Sequence, residues 1–332
     1  MPRLLCHRVS SSHPHGDLSE VQSMSTRTIV VVGSANIDMV AHAPHCVRPG
    51  ESLIGTSLET VCGGKGANQA VAAARLGART HFVGCVGDDA FGAMQRRALE
   101  NAGVDIACLK THSSEPTGTA LICVADTGQN SIVVVPGANL GITPDDIRAA
   151  DALFAQADAV LLQLEIRLDT VDAALEAARR HGALSILDAG PAQHVPEALI
   201  AKADLVSPNE TEAEAITGIA VDSLDDAERA AERLIAMGAR EAVMKLGARG
   251  ALYVGQGSIH APAFVIVPVD TTAAGDAFTA ALALEWGAVP RAQALRFANA
   301  AGALAAMSPG AQPSMPSRAA VESFRNAKEF EV

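Results

Sequence analysis

The segment Asp270-Thr-Thr-Ala-Ala-Gly-Asp276, followed by Ala-Phe-Thr-Ala-Ala-Leu, carries the strongest chemical signal in the chain. Its small residues end a loop where an amphipathic helix begins. A helix N-terminus offers unpaired backbone N–H groups and the positive end of the helix dipole, which can hold the charge that develops on a transferring phosphoryl group. Asp276, in the first turn, sits beside that anion site and can accept a hydroxyl proton as the oxygen attacks. The plainer alternative is that Asp276 only caps the helix.

Three further segments have residue types and spacings that suit ligand chemistry. In Cys62-Gly-Gly-Lys-Gly-Ala-Asn68 the glycines let a ligand approach the backbone, while Lys65 and Asn68 bring polar groups to a helix start. The G-x-x-x-x-G-K-[ST] spacing is absent, which excludes a P-loop, and a flexible turn is the alternative. In Asn209-Glu-Thr-Glu-Ala-Glu214, Asn209 and Glu212 share a helix face at i and i+3 and could hold the waters of Mg²⁺. Read alone, that segment fits a capped, solvated acidic helix start better. Lys245-Leu-Gly-Ala-Arg-Gly250 is a glycine turn after a strand, and on its own it fits a hairpin turn better.

Alternating strands and helices must carry these loops. The pattern predicts strand Ile29–Val32, a glycine-rich loop, helix Ala67–Leu76, strand Thr80–Val86 and helix Phe91–Asn101. It resumes with strand Ala159–Leu164, helix Leu168–Arg180, strands Leu184–Asp188 and Asp204–Ser207, helix Leu224–Met237 and strand Glu241–Met244. Two last helices cover Gly275–Trp286 and Arg291–Ala306. Such alternation predicts an α/β fold, a doubly wound, mostly parallel sheet with helices on both faces. Two β-rich stretches, about 38–62 and 114–138, interrupt the rhythm. They read either as a small β lid that keeps water from the site or as an edge hairpin of the main sheet. Residues 1–26, rich in Ser, His and Arg, read as a disordered tail or an over-long start with Met24 as an alternative initiator, ahead of one domain over 27–332. His13 and His15 lie on that tail, a poor place for a metal site.

Composition narrows the class. Of 332 residues 49% are hydrophobic and 28 are Gly, with one Trp and one Tyr, as expected of an Ala/Val/Gly-rich α/β enzyme. A net charge of -12 with no basic stripe argues against nucleic acid as a partner. The six cysteines have no zinc-like spacing and read as reduced thiols. No apolar run suits a bilayer span or a signal peptide, so the expected location is cytoplasmic, without a membrane partner.

Taken in order from about Ile29 to Phe324, these motifs resemble those of the PfkB-type carbohydrate kinase family, and within it the ribokinases. Gly33-Ser-Ala-Asn-Ile-Asp38 is similar to the family's first sugar-binding loop and Gly63-Gly-Lys-Gly-Ala-Asn68 to its glycine-rich signature. Ser207-Pro-Asn-Glu-Thr-Glu-Ala-Glu214, Asp270 to Asp276 and Gly310-Ala-Gln-Pro-Ser314 complete the set. The resemblance implies ATP-dependent phosphorylation of D-ribose to ribose 5-phosphate, with Asp276 as general base and the backbone of Ala273, Ala274, Gly275 and Asp276 as anion hole. It assigns the sugar to Asn36, Asp38, Gly64, Lys65, Asn68, Glu165 and Asp276. Mg-ATP falls to Asn209 and Glu212, and the nucleotide to Lys245, Leu246, Gly247, Ala248, Arg249, Gly250, Gly275 and Asn299. An activating K⁺ is implied around Asp270, Thr272, Ala305, Ser308, Gly310 and Ser314, and a homodimer through the lids.

The chain departs from that pattern at three places. Asp188-Ala-Gly-Pro-Ala192 stands where many ribokinases read Asn-Pro-Ala-Pro-Ala, Ala273 replaces a glycine of the wider family, and Ser308-Pro309 replaces a basic pair. Other readings are another sugar or nucleoside kinase of the family, such as a deoxyribokinase, and a non-catalytic sugar sensor. Asp276 beside an intact small-residue loop argues against the sensor. Asn36 and Asp38 favour a sugar with vicinal hydroxyls, because a missing hydroxyl would leave a buried partner unpaired.

Overall fold

The computed structural model describes residues 26–329, so the expected tail with Met24, His13 and His15 lies outside the described residues. The chain opens with β1 (Thr28–Val32), β2 (Asn36–Ala43), β3 (Ser57–Gly63), α1 (Lys65–Arg75), β4 (Arg79–Gly87), α2 (Ala90–Asn101) and β5 (Asp105–His112). It continues through β6 (Gly118–Ala125), β7 (Asn130–Val135), α3 (Pro144–Ala149), α4 (Asp151–Phe154), β8 (Ala159–Leu162), α5 (Leu168–His181) and β9 (Leu184–Leu187). Then come α6 (Glu197–Ile200), β10 (Leu205–Val206), α7 (Glu210–Thr217), α8 (Leu224–Ala236), β11 (Glu241–Lys245), β12 (Ala251–Gly255) and β13 (Gly257–Ala261). Helices α9 (Ala274–Glu285), α10 (Arg291–Ala306) and α11 (Arg318–Glu329) close it.

The main sheet runs β13-β12-β11-β10-β9-β8-β1-β4-β5 and is parallel except for β12 and β13. Both of its faces are covered. Along β1, Ile29 and Val31 enter one core with α1, α9 and α10, while Val30 and Val32 enter the other with α5 and α8. A strand buried on two sides has no polar face, which is why these segments read as unbroken Val/Ile/Leu runs. The helices instead show one-sided burial. In α5, Val171, Ala174, Leu175 and Ala178 are buried at helical spacing, and Gly182 in the left-handed region ends it after Arg179, Arg180 and His181.

The two interrupting stretches form a separate sheet, β3-β2-β6-β7, in which β2 pairs in parallel with β6 and the other pairs are antiparallel. The edge-hairpin alternative is thereby corrected: β6 pairs with β2 and β7 with β6, and neither pairs with the main sheet. The glycine turn after β11 does lead into the antiparallel β12, as the hairpin alternative had it. The sequence pattern also missed β5, β12, β13 and the third C-terminal helix, α11.

One contact fixes how α1 sits on the sheet. Ala67 N–H donates to the Ser34 carbonyl at 2.8 Å, and a Cβ at Gly66 would stand 2.7 Å from the backbone of Gly33 and Ser34. Gly66→Ala gains roughly 1 kcal/mol of helix propensity, but backbone-on-backbone overpacking costs about 1–3 kcal/mol or more. The variant is expected to unfold at lower urea concentration with an unchanged m-value; an equal or higher midpoint would contradict this packing.

Candidate active site

Chain order in the main sheet reverses between β1 and β8, and the loops beyond the carboxyl ends of the strands converge there, where open α/β sheets bind ligands. Ser34 and Asn36 follow β1, Gln163 and Glu165 follow β8, and Asp188 follows β9. Asn209 follows β10 and Lys245 ends β11. The lid strand β2 adds Asp38, and the first turns of α1 and α9 add Lys65, Asn68 and Asp276.

Asp276 is nearly inaccessible. Asn68 Nδ2 donates to its Oδ2 at 2.9 Å and Gln69 Nε2 to its Oδ1 at 3.1 Å. Burial raises its pKa to about 6; the Lys65 ammonium opposes that, Asp188 adds to it, and the two amide hydrogen bonds oppose it. The helix that carries it starts from Ala273, whose φ of 59° lies in the left-handed region, the one non-glycine with positive φ among the described residues. An alanine there costs about 1–2 kcal/mol, so the loop is held in this shape by its surroundings. Ala274 N–H donates to the Thr271 carbonyl at 3.2 Å, which leaves Gly275 and Asp276 as first-turn N–H groups without that tie.

Asp38 is also buried, and burial together with the neighbouring charges of Glu165 and Asp276 pushes its pKa up to about 7. A Cβ on Gly63 would overlap its carboxylate. Asn36 is tied by Asn139, whose Nδ2 donates to Asn36 Oδ1 at 2.6 Å. Gly64, with φ of 89°, starts α1 against the Asn36 backbone. Glu165 Oε2 accepts from Ser34 Oγ and from Lys65 N–H at 3.2 Å. Asn68 Oδ1 is buried without a hydrogen-bond partner.

A cavity of about 690 Å³ opens beside Asp276 and is lined by Ala273, Ala274, Gly275, Lys65, Asn209, Glu212 and Asn299. Lys245, Leu246, Gly247, Ala248 and Gly250 line it as well. Arg249 is the exception among the residues the motif implied: its guanidinium donates to Glu210 and the Val221 carbonyl, on the other side of the turn. Asn299 Nδ2 is engaged by the carbonyls of Ala261 and Pro262. Asn209 and Glu212 form a reciprocal capping box, so the plainer reading of that segment is realised. Glu212 in addition lies 3.9 Å from Lys65 Nζ and 3.8 Å from Lys245 Nζ. Burial opposes the charge of both lysines, but the surrounding carboxylates, Asp188 foremost, raise their pKa values.

Below this cavity Asp270 joins two loops, accepting from Thr272 N–H and from Gly310 N–H, each at 2.9 Å. Burial works against its ionisation, but these hydrogen bonds hold its pKa below the usual carboxylate range. The Ala305 carbonyl accepts from Ser308 N–H, and Ser314 Oγ donates to the Ala311 carbonyl.

Residues that the motifs did not single out complete the centre. Gln69, Gln163, Ser34 and Asn139 are polar, buried and hydrogen-bonded to site residues. Gln69 and Gln163 each adjoin or nearly adjoin a motif residue, Asn68 and Glu165, which is the only trace they leave in the sequence.

The sequence matches the pfkB family carbohydrate kinases over residues 26–318. Ribokinase of Haemophilus influenzae is 39% identical over 296 residues, 88% of this chain and 96% of that protein. Deoxyribokinase of Salmonella typhi is 36% identical over 252 residues, covering 75% of this chain and 82% of that one. The fold superimposes on Arabidopsis thaliana ribokinase complexed with ribose and ATP with a TM-score of 0.83 at 35% identity, over 90% of this chain and 99% of that one.

Proposed function

Because the chain belongs to the pfkB family of carbohydrate kinases, we propose that it transfers the γ-phosphoryl group of ATP to the 5-hydroxyl of D-ribose, giving ribose 5-phosphate and ADP. The observation that carries this reading is Asp276, a buried carboxylate on the first turn of α9 that faces the cavity beside free N–H groups. With a pKa near 6 it is mostly ionised at neutral pH, yet basic enough to take a hydroxyl proton. As that proton moves to Asp276, the sugar oxygen forms its bond to the γ-phosphorus and the bond to the bridging oxygen of ADP breaks. The N–H groups of Gly275 and Asp276, at the positive end of α9, take up the charge on the phosphoryl oxygens. The Lys245 ammonium lies beside them, 3.8 Å from where a Cβ on Gly275 would stand.

On the sugar side, Asp38 and the unpartnered Asn68 Oδ1 are acceptors for hydroxyl donors, and Lys65 and the Asn68 amide supply donors. Asn36, Gly64 and Glu165 shape that subsite. Across the cavity, Leu246 to Ala248 and Gly250 take the nucleotide, with Arg249 and Asn299 bracing its walls.

Mg²⁺ would be held through Glu212 and Asn209, and it would neutralise charge on the phosphates. One carboxylate and a capped amide fit an ion that keeps most of its waters and takes phosphate oxygens. A K⁺ ion would be held by Asp270 with the backbone of Thr272, Ala305, Ser308 and Gly310 and by Ser314. The ionised Asp270, already bonded to two loops that lead to the anion hole, suits a weakly hydrated cation. A homodimer joined through the lids belongs to the same proposal, since Leu58, Leu121 and Val133 are exposed apolar side chains on the lid sheet. So does a cytoplasmic location; among the described residues no helix is long and apolar enough to cross a membrane.

In a coupled assay of ADP release, ribose is expected to exceed 2-deoxyribose in kcat/KM, and equal values would overturn the choice of sugar. Asp276→Asn is expected to lower kcat by about two to four orders of magnitude with ATP binding retained; near-normal turnover would reduce Asp276 to a cap. The third expectation concerns pH. The Asp38 carboxyl is protonated below about 7 and then no longer offers two acceptor oxygens, so kcat/KM for ribose falls as pH drops through that value. Asp38→Asn should raise KM and remove that limb, leaving the lower one near 6; a limb that survives the substitution belongs to another group. Fourth, initial rates in potassium chloride should exceed those in tetramethylammonium chloride of equal ionic strength, and equal rates in potassium-depleted protein would refute the cation site.

A further inference from the structure

Four buried side chains and the partly buried Lys245, from five different segments, form one hydrogen-bonded chain behind the phosphoryl site. Gln69 on α1 is fully buried, as are Gln163 after β8 and Asp188 after β9. Gln163 Nε2 donates to Gln69 Oε1 at 2.6 Å. Gln69 Nε2 then donates in two directions, to Asp276 Oδ1 at 3.1 Å and to Asp188 Oδ2 at 2.6 Å. The other oxygen of Asp188 accepts from the Lys245 ammonium.

The chemistry of this chain has only one direction. An amide carries two N–H groups on nitrogen, and Gln69 spends one on each carboxylate. Turned over, it would lose the Gln163 donor and set its own oxygen against two anions. Gln163 therefore locks the orientation that both carboxylates need. With Asn68 on Oδ2 and Gln69 on Oδ1, the plane of the Asp276 carboxylate is fixed. Lys245 is fixed by the same chain, because its buried counter-ion Asp188 is anchored through Gln69.

We propose that Gln69, locked by Gln163, is the positioning residue of the phosphoryl-transfer centre, tying the proton acceptor Asp276 to the Asp188–Lys245 ion pair so that both keep one geometry. This rests on Asp276 acting as the base. The charged groups that bear on Asp276 are Lys65 and Asp188, with Asp38 on the lid side. Those that bear on Lys245 are Asp188, Glu212 and Lys65.

Two variants should move the acid limb of kcat in opposite directions. Gln69→Leu removes the amide that donates to both buried carboxylates, so Asp276 takes up a proton more readily. Its limb should rise by about half a unit or more, and the plateau should drop about tenfold or more because the base is no longer aimed. Asp188→Asn keeps the shape and one acceptor oxygen, enough for Gln69 or Lys245 but not both, and removes a negative charge beside the base, so its limb should fall by a similar amount. Neither side chain is assigned to the sugar subsite, so KM for ribose should change less than about threefold.

The experiment measures kcat against pH at saturating ribose and ATP for the native chain and both variants, with Asp276→Asn as reference. A purely structural role would lower the melting temperature and leave the limb in place. Opposite shifts support the proposal, and an unmoved limb in folded variants overturns it. If Gln69→Leu fails to fold, the isosteric Asp188→Asn decides alone by the presence or absence of its downward shift. Near-normal turnover of Asp276→Asn would instead sink the base assignment itself, which separates the two failures.

Discussion

The contact on which this structure turns is the grip of two α1 amides on one α9 carboxylate, Asn68 and Gln69 on Asp276, across 208 and 207 residues of sequence. A carboxylate removed from water costs several kcal/mol unless hydrogen bonds and opposite charge replace its hydration. The amides of α1 and the Lys65 ammonium do so here. For them to reach Asp276, α1 and α9 must pack closely on one face of the sheet. Both helices are lined with small side chains, Ala67, Ala70 and Ala73 on α1 and Ala277, Ala280 and Ala281 on α9, all buried. The alanine and glycine content of the chain is in this sense a consequence of where its carboxylate sits.

Charge sets the second constraint. Asp38, Glu165, Asp188, Glu212 and Asp276 crowd around two lysines, Lys65 and Lys245. Burial first, and neighbouring carboxylates in addition, raise the pKa values of Asp38 and Asp276. Part of the compensation comes from the fold, because the N-termini of α1, α7 and α9 all open on the same place. The remainder must come from what binds. Cations and hydroxyl donors are the complement of such a site, in keeping with a metal nucleotide and a sugar.

The loops proposed to touch ligands were legible in the sequence because their chemistry demands unusual residues within a few positions. Glycines beside Lys65, and small residues before Asp276, have no better explanation in a packed helix or strand. The parallel sheet was legible for a similar reason, since strands buried on both faces leave long apolar runs. Gln69 and Gln163 were not legible. Each is a single polar residue among apolar neighbours, and only the tertiary fold reveals that they face each other across 94 residues. The lid had the same limit, because the strand-forming residues of β6 and β7 read the same whether the hairpin joins the main sheet or adds to β2 through β6. Strand β5 was missed because its burial is mixed and its edge faces solvent, so no clean period survives. Asn209 and Glu212 show that two readings need not exclude each other: they cap α7 and line the cavity together.

The sheet order has a consequence for how this chain is made. Strand β1, synthesised before both of its neighbours, lies between β4 and β8, and the loops after it are finished only by residues near position 276. Parallel pairs of this kind close long stretches of chain before they gain any contact, which makes folding slow. Until α9 leaves the ribosome, Asn68 and Gln69 have no carboxylate to hold and the Ala-rich face of α1 has nothing to cover it. The side of α1 that α9 covers thus stays apolar and open until α9 is made, and it is there that a chaperone would find its opportunity to act.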